Sequence, residues 1–278
     1  MKNRRAALLV AACAMAAAPL AAQAAESPTQ PDPSPSGVPP PRALVVALGL
    51  RDPAMGAGVV RGADVVLARG FEASLARLLA RRLGGRIDRL VALRPPGRLL
   101  AGAPGGWHLA LAGIERSRGA GATAELSDPY LPTDAAVVLR RHLPRPRGIA
   151  DLRGRVLCAV KGGDSARVVT GVVRPRPAPL LAPGDDRLRE LLRTGACDAA
   201  LVPAIEAGRF VRGHGTELGS VTGRISAGDG YAVAVARGTG LDVGAVDRAL
   251  ARLRSDGTLG RLARSWLGLD PARLRILR

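Results

Sequence analysis

Apolar residues in this chain alternate between short unbroken runs and stretches where they recur every three or four positions. Ala43-Leu44-Val45-Val46-Ala47-Leu48 is an unbroken run of strand length. A parallel strand covered on both faces needs such a run. A Gly-rich loop follows. Phe71 to Leu83 then places Phe71, Leu75, Leu78, Leu79 and Leu83 on one helical face, and Gly84-Gly85 stops the helix. Ile87 to Leu93 and Leu109 to Gly113 read as further strands.

A second cycle begins near Ala135. Ala135 to Leu139 and Val156 to Val160 read as strands. Lys161-Gly162-Gly163-Asp164-Ser165 reads as a strand-to-helix turn, with Asp164 or Ser165 able to cap. Asp185 to Thr194 reads as a helix, Ala199 to Val202 and Tyr231 to Ala236 as strands, and 243–254 and 259–267 as closing helices. Strands and helices alternating over this length predict an α/β architecture with parallel sheets.

The two ends carry different signals. Lys2, Arg4 and Arg5 precede an apolar run from Ala6 to about Ala22, and Ala22-Gln23-Ala24 fits a small-x-small cleavage site. Residues 1–25 therefore read as a secretory signal peptide and predict a periplasmic location. The run contains Pro19 and falls short of the roughly 20 apolar residues of a span. Val10-Ala11-Ala12-Cys13 resembles a lipoprotein processing box, the minority reading. Residues 26–42 form a Pro- and Ser-rich linker that offers nothing to bury. Residues 271–278 read as a C-terminal tail.

Composition narrows the function. The net charge is +18, and 39 of the 41 basic residues are Arg. They are scattered, as codon bias alone would give. Only 2% of residues are aromatic, so a base-stacking platform for nucleic acid is not expected. His108, His142 and His214 lie far apart, and no metal or cofactor is expected. No GxSxG elbow, HExxH or Cys/His pair appears, so the chain reads as a binder and not as an enzyme. Cys158 and Cys197 remain after signal cleavage. Both a disulfide and two buried thiols stay open.

Four ordered motifs then carry a resemblance. Gly70-Phe71-Glu72-Ala73-Ser74-Leu75 resembles a "G-F-D/E-x-D/E-L" helix start, and Leu126-Ser127-Asp128-Pro129-Tyr130 resembles "F-S-D-P-Y". Asp151-Leu152-Arg153-Gly154-Arg155-Val156 resembles "D-L-K-G-K-x-V". Asp256-Gly257-Thr258-Leu259, followed by Trp266-Leu267-Gly268, resembles a C-terminal "D-G-T-L … W-L-G". Together they resemble family 3 of the bacterial extracellular solute-binding proteins, the polar amino-acid class. The resemblance spans about residues 43–268.

The resemblance implies a two-lobed periplasmic-binding-protein fold of type II with two crossover segments. Lobe one would comprise 43–132 plus 229–270, and lobe two 133–228. A small polar solute would bind in the cleft, the lobes would close over it by hinge motion, and a monomeric receptor would pass it to an inner-membrane ABC transporter permease.

The pocket departs from the family pattern. There an Arg forks the ligand carboxylate and a lobe-two Asp takes the ammonium. Here those positions align with Ala120 and Pro203. Glu115 falls where a ligand-facing hydroxyl is usual. Such charge-assisted bonds contribute about 1.5–3 kcal/mol each, so an α-amino acid should bind poorly. The candidate contacts are Arg51, Asp52, Glu115, Ser117, Asp164 and Ser165. A second reading is an accessory protein of a periplasmic quinoprotein dehydrogenase of the methanol type, with a degenerate cleft. A third is a dehydratase or lyase on the same fold, with Glu115 as an acid or base, for which no catalytic motif appears in the sequence.

Overall fold

The computed structural model describes residues 41–93, 106–116, 121, 123–212 and 218–278. The expected signal peptide, all but the last two residues of the expected linker, and Ser117, Ala120 and His214 lie outside these residues.

Two mixed sheets organise the chain. The first contains β1 (Ala43–Leu48), β2 (Ala57–Arg61), β3 (Asp64–Arg69), β4 (Arg86–Ala92), β5 (Leu109–Glu115), β6 (Ala124–Leu126) and β12 (Tyr231–Ala236), in the order β2-β3-β4-β1-β5-β12-β6. The second contains β7 (Ala135–Leu139), β8 (Leu157–Val160), β9 (Leu180–Ala182), β10 (Ala199–Pro203) and β11 (Ser220–Ile225), in the order β11-β7-β10-β8-β9. The main chain passes from the first sheet to the second after β6 and back before β12, and its C-terminal residues reach the second sheet again.

Both sheets mix parallel and antiparallel pairs, which corrects the expectation of parallel sheets: the first is parallel at its centre, the second from β10 to the β9 edge. β1 pairs in parallel with β4 and β5, while β12 runs antiparallel to both β5 and β6. β8 is parallel to β9 and β10, but β7 is antiparallel to β10 and β11. Of the reversed strands, β12 and β7 are reached through a crossover, while β3 is the return strand of a hairpin. No strand-helix-strand unit fixes their direction.

The central strands form where apolar runs are covered on both faces. Leu44, Val46, Ala47 and Leu48 of β1 are fully buried. On one face, α1 (Phe71–Arg82), α5 (Val243–Ser255) and α6 (Thr258–Leu267) supply Phe71, Leu75, Leu79, Val246, Leu250 and Leu267. On the other, Trp107, Ile114 and Ala234 pack beneath β1 and β5. In lobe two, α2 (Asp164–Val168), α3 (Asp185–Arg193) and α4 (Ala207–Val211) cover the sheet. Leu188, Leu192 and Phe210 fill the same core as the Cys158–Cys197 disulfide. The disulfide ties β8 to the turn after α3, a stabilisation of roughly 2–4 kcal/mol.

Three local expectations need correction. The Gly-rich loop after β1 contains the β2–β3 hairpin, turning at Gly62 with φ 62°. Its strands are half exposed, so no unbroken apolar run announces them. Neither Asp164 nor Ser165 caps α2: Gly163 is the N-cap, no side chain bonds there, and both residues lie inside the first turn. The last residues also do more than trail. Leu277 N–H donates to Arg224 O, and Leu277 is buried in the lobe-two core. The C-terminus therefore returns from α6 to the edge of β11.

Candidate functional site

The start of β7, the end of β10, the start of β12 and the first crossover meet in a cleft. Pro132, Thr133, Asp164, Ser165, Pro203, Glu206 and Tyr231 are among the residues lining a cavity there of about 160 Å³. No Arg, Lys or His lines it among the described residues. A neighbouring cavity of about 290 Å³ is bordered by Arg51, Asp52, Asp185, Arg189, Glu206 and Arg209. Glu206 is common to both.

Loop and sheet geometry deliver these groups. Asp164 and Ser165 open α2 directly after β8; Ser165 is buried, whereas Asp164 is exposed and ion-paired with Arg167. Pro203 ends β10, and Glu206 follows at the start of α4. Burial pushes the Glu206 carboxyl above its ordinary range. The charges of Asp185 and Asp52 add to this, and Arg209 opposes it.

Asp52 and Arg209 bridge the lobes. Arg209 Nη1 donates to Asp52 Oδ1 and Nη2 to Asp52 Oδ2, both at 2.7 Å. This two-pronged geometry is the strongest arrangement a guanidinium and a carboxylate adopt. Burial works to raise the Asp52 carboxyl. The Arg209 hydrogen bonds, the Ala54 N–H and the Arg209 charge outweigh it and hold the group low.

Beneath the cleft lies a polar knot within an apolar core. Glu72 of α1 is 1% exposed. Its Oε1 accepts from Tyr130 Oη at 2.5 Å and from Gly113 N at 2.7 Å. Gly113 adopts φ 58°, which L side chains rarely take. Burial pushes the Glu72 carboxyl up to about 7 against the pull of these donors. Tyr130 stacks between Phe71 and Tyr231. Burial, then the charges of Glu115, Glu206, Glu72 and Asp52, pushes Tyr231 up to about 12. The wall of the cleft around Tyr231 is thus electronegative in a chain of net charge +18.

The candidate residues separate into groups. The structure brings Asp164 and Ser165 together with Pro203, and Arg51 with Asp52 at the second cavity. Glu115 ends β5 opposite Tyr231 and borders neither cavity. Ser117 lies outside the described residues. Glu206, Arg209 and Tyr231 are the additions. The only sequence signal for Glu206 is its place three residues after Pro203, where the family's ammonium-binding Asp is absent.

Residues 64–269 match the profile of the bacterial extracellular solute-binding proteins, family 3. The chain belongs to that family. The solved structures similar to this member include the L-cystine solute receptor of Neisseria gonorrhoeae in its unliganded open conformation. It is 17% identical, with 82% of this chain and 94% of that one covered and a TM-score of 0.66. A polar amino acid ABC uptake transporter substrate-binding protein from Streptococcus thermophilus is 15% identical over 82% and 87%, with a TM-score of 0.63. An ancestral amino-acid-binding protein, a precursor of cyclohexadienyl dehydratase, is 17% identical over 81% and 96%, with a TM-score of 0.50. The search of curated proteins returns no match. The family fold is the two-lobed type II architecture, and its members are solute-binding proteins, although the last relative stands at the root of an enzyme.

Proposed function

We propose that this chain is a periplasmic receptor that captures a small polar solute in its interlobe cleft and delivers it to an inner-membrane ABC transporter permease. Family membership supports the receptor role. The observation that carries the reading of the cleft is its small cavity, lined by Thr133, Ser165, Tyr231 and Glu206. Asp164 and Ser165 contact the solute from lobe two, and Arg51 and Asp52 shape the approach to it. Glu115 acts on it through the field at Tyr231.

The solute is not an ordinary α-amino acid. Among the described residues no Arg, Lys or His borders the cavity to pair with an α-carboxylate, and the carboxyl groups of Asp164 and Glu206 that do border it would repel one. A thermal-shift screen of small polar solutes tests this. A solute without the α-amino-acid grouping should raise the melting temperature by several degrees. Common L-amino acids at sub-millimolar concentration should leave it unchanged, and a several-degree rise with any of them refutes the reading.

The dehydrogenase-accessory reading draws support from the direct Asp52–Arg209 bridge, which lets protein groups satisfy one another across the cleft. Co-purification with a dehydrogenase, and silence throughout the solute screen, would favour it.

A further inference from the structure

Away from the cleft mouth, the two crossovers and the C-terminal helices enclose a cavity of about 830 Å³. Five arginines border it: Arg224, Arg254, Arg261, Arg264 and Arg273. Four aspartates share its walls, and three of them already have basic partners. Asp134 is buried, pairs with Arg224 and accepts from Ala227 N–H at 3.2 Å. Asp270 lies 3.9 Å from both Arg264 and Arg273, and Asp128 pairs with Arg116 at 3.1 Å. Asp229 is the fourth.

Arg254 and Arg261 are bonded differently. Arg254 Nη2 donates to Pro129 O at 2.8 Å. Arg261 donates to Asp256 O at 3.1 Å and to Thr258 Oγ1 at 2.7 Å. These acceptors are neutral oxygens, and the Asp256 carboxylate is engaged by Arg82 at 2.9 Å. Two exposed guanidinium groups are therefore hydrogen-bonded to neutral acceptors beside a cavity, with no carboxylate in ion-pair contact among the described residues, although the Arg261 charge helps to hold Asp256 low. Each guanidinium has five N–H donors and matches phosphate oxygens in pairs.

We infer that this cavity is a second binding site, for a compact phosphate-type polyanion held chiefly by Arg254 and Arg261. The shared chemistry is a group with two or more anionic phosphate oxygens, either in a free phosphate compound or in a lipid headgroup. Because Pro129 and Gly230 on the two crossovers both border the site, its occupant would touch both connections between the lobes. The inference stands independently of the solute in the cleft.

Titration calorimetry of the mature protein at physiological salt, with inorganic pyrophosphate and separately with anionic phospholipid vesicles, tests it. Binding of one pyrophosphate per chain is expected, weakened at least tenfold in Arg254→Ala/Arg261→Ala. Arg141→Ala/Arg145→Ala, on the exposed loop after β7, should change it less than twofold. Arg254→Lys/Arg261→Lys should fall between, because the charge remains and the fork is lost. Binding to vesicles alone, with the same ranking of variants, would assign the site to a headgroup. No binding in either arm, or equal loss in both alanine pairs, would overturn the inference, since diffuse charge would then explain everything.

Discussion

Glu72 shows how one residue makes the fold sensitive to pH. Its carboxyl titrates near 7 in the folded chain, against 4.5 for an ordinary glutamate. The folded state therefore holds a proton that the unfolded state releases first. The contribution of Glu72 to stability is fullest below about 4.5, declines as pH rises between the two values, and levels off just above 7. The shift corresponds to about 3 kcal/mol. Glu72→Gln keeps an acceptor for Tyr130 and Gly113 without the charge. Denaturant melts across pH 5 to 8 should show this variant close to the parent at pH 5 and more stable at pH 8. Parallel curves for the two proteins would contradict this account of the buried carboxyl.

At the scale of elements, the chain is joined by more than its crossovers. The loop after β1 and the short helix α4 are tied by Asp52 and Arg209, 157 residues apart. Arg209→Ala or Asp52→Asn should release this tie. Scattering from the ligand-free variants should give a larger radius of gyration than the parent, with the double variant no larger than either single one. An unchanged radius would show that the pair does not hold the lobes together. The sequence makes β1, α1 and β12 legible because each has an apolar pattern that packing completes on a known face. The β2–β3 hairpin was hidden because Val59 is 49% exposed and the strands carry no buried stripe. The Asp52–Arg209 bridge has no local signature at all. A glutamate ahead of a five-residue helix reads as a solvated charge, so Glu206 emerged only when β10 and the first crossover closed around it.

For the whole molecule, the ordered motifs disclosed the architecture before any contact was known, because they punctuate both lobes in one fixed order. They could not disclose the solute. Binding chemistry resides in the few side chains at strand ends, which vary while the core pattern persists. Here those side chains leave a cavity with hydroxyl groups, a half-buried carboxylate and a proline. The C-terminal residues add a third link between lobes by pairing with β11. A closing motion of the lobes would therefore pivot on two crossovers and this returning tail together.

Small-angle scattering on the mature protein, with and without a solute that stabilises it in the thermal screen, tests the receptor reading most directly. Capture between moving lobes predicts a smaller radius of gyration in the complex, and no contraction in Ser165→Ala/Glu206→Gln at the same solute concentration. A saturated complex with the dimensions of the free protein would contradict it.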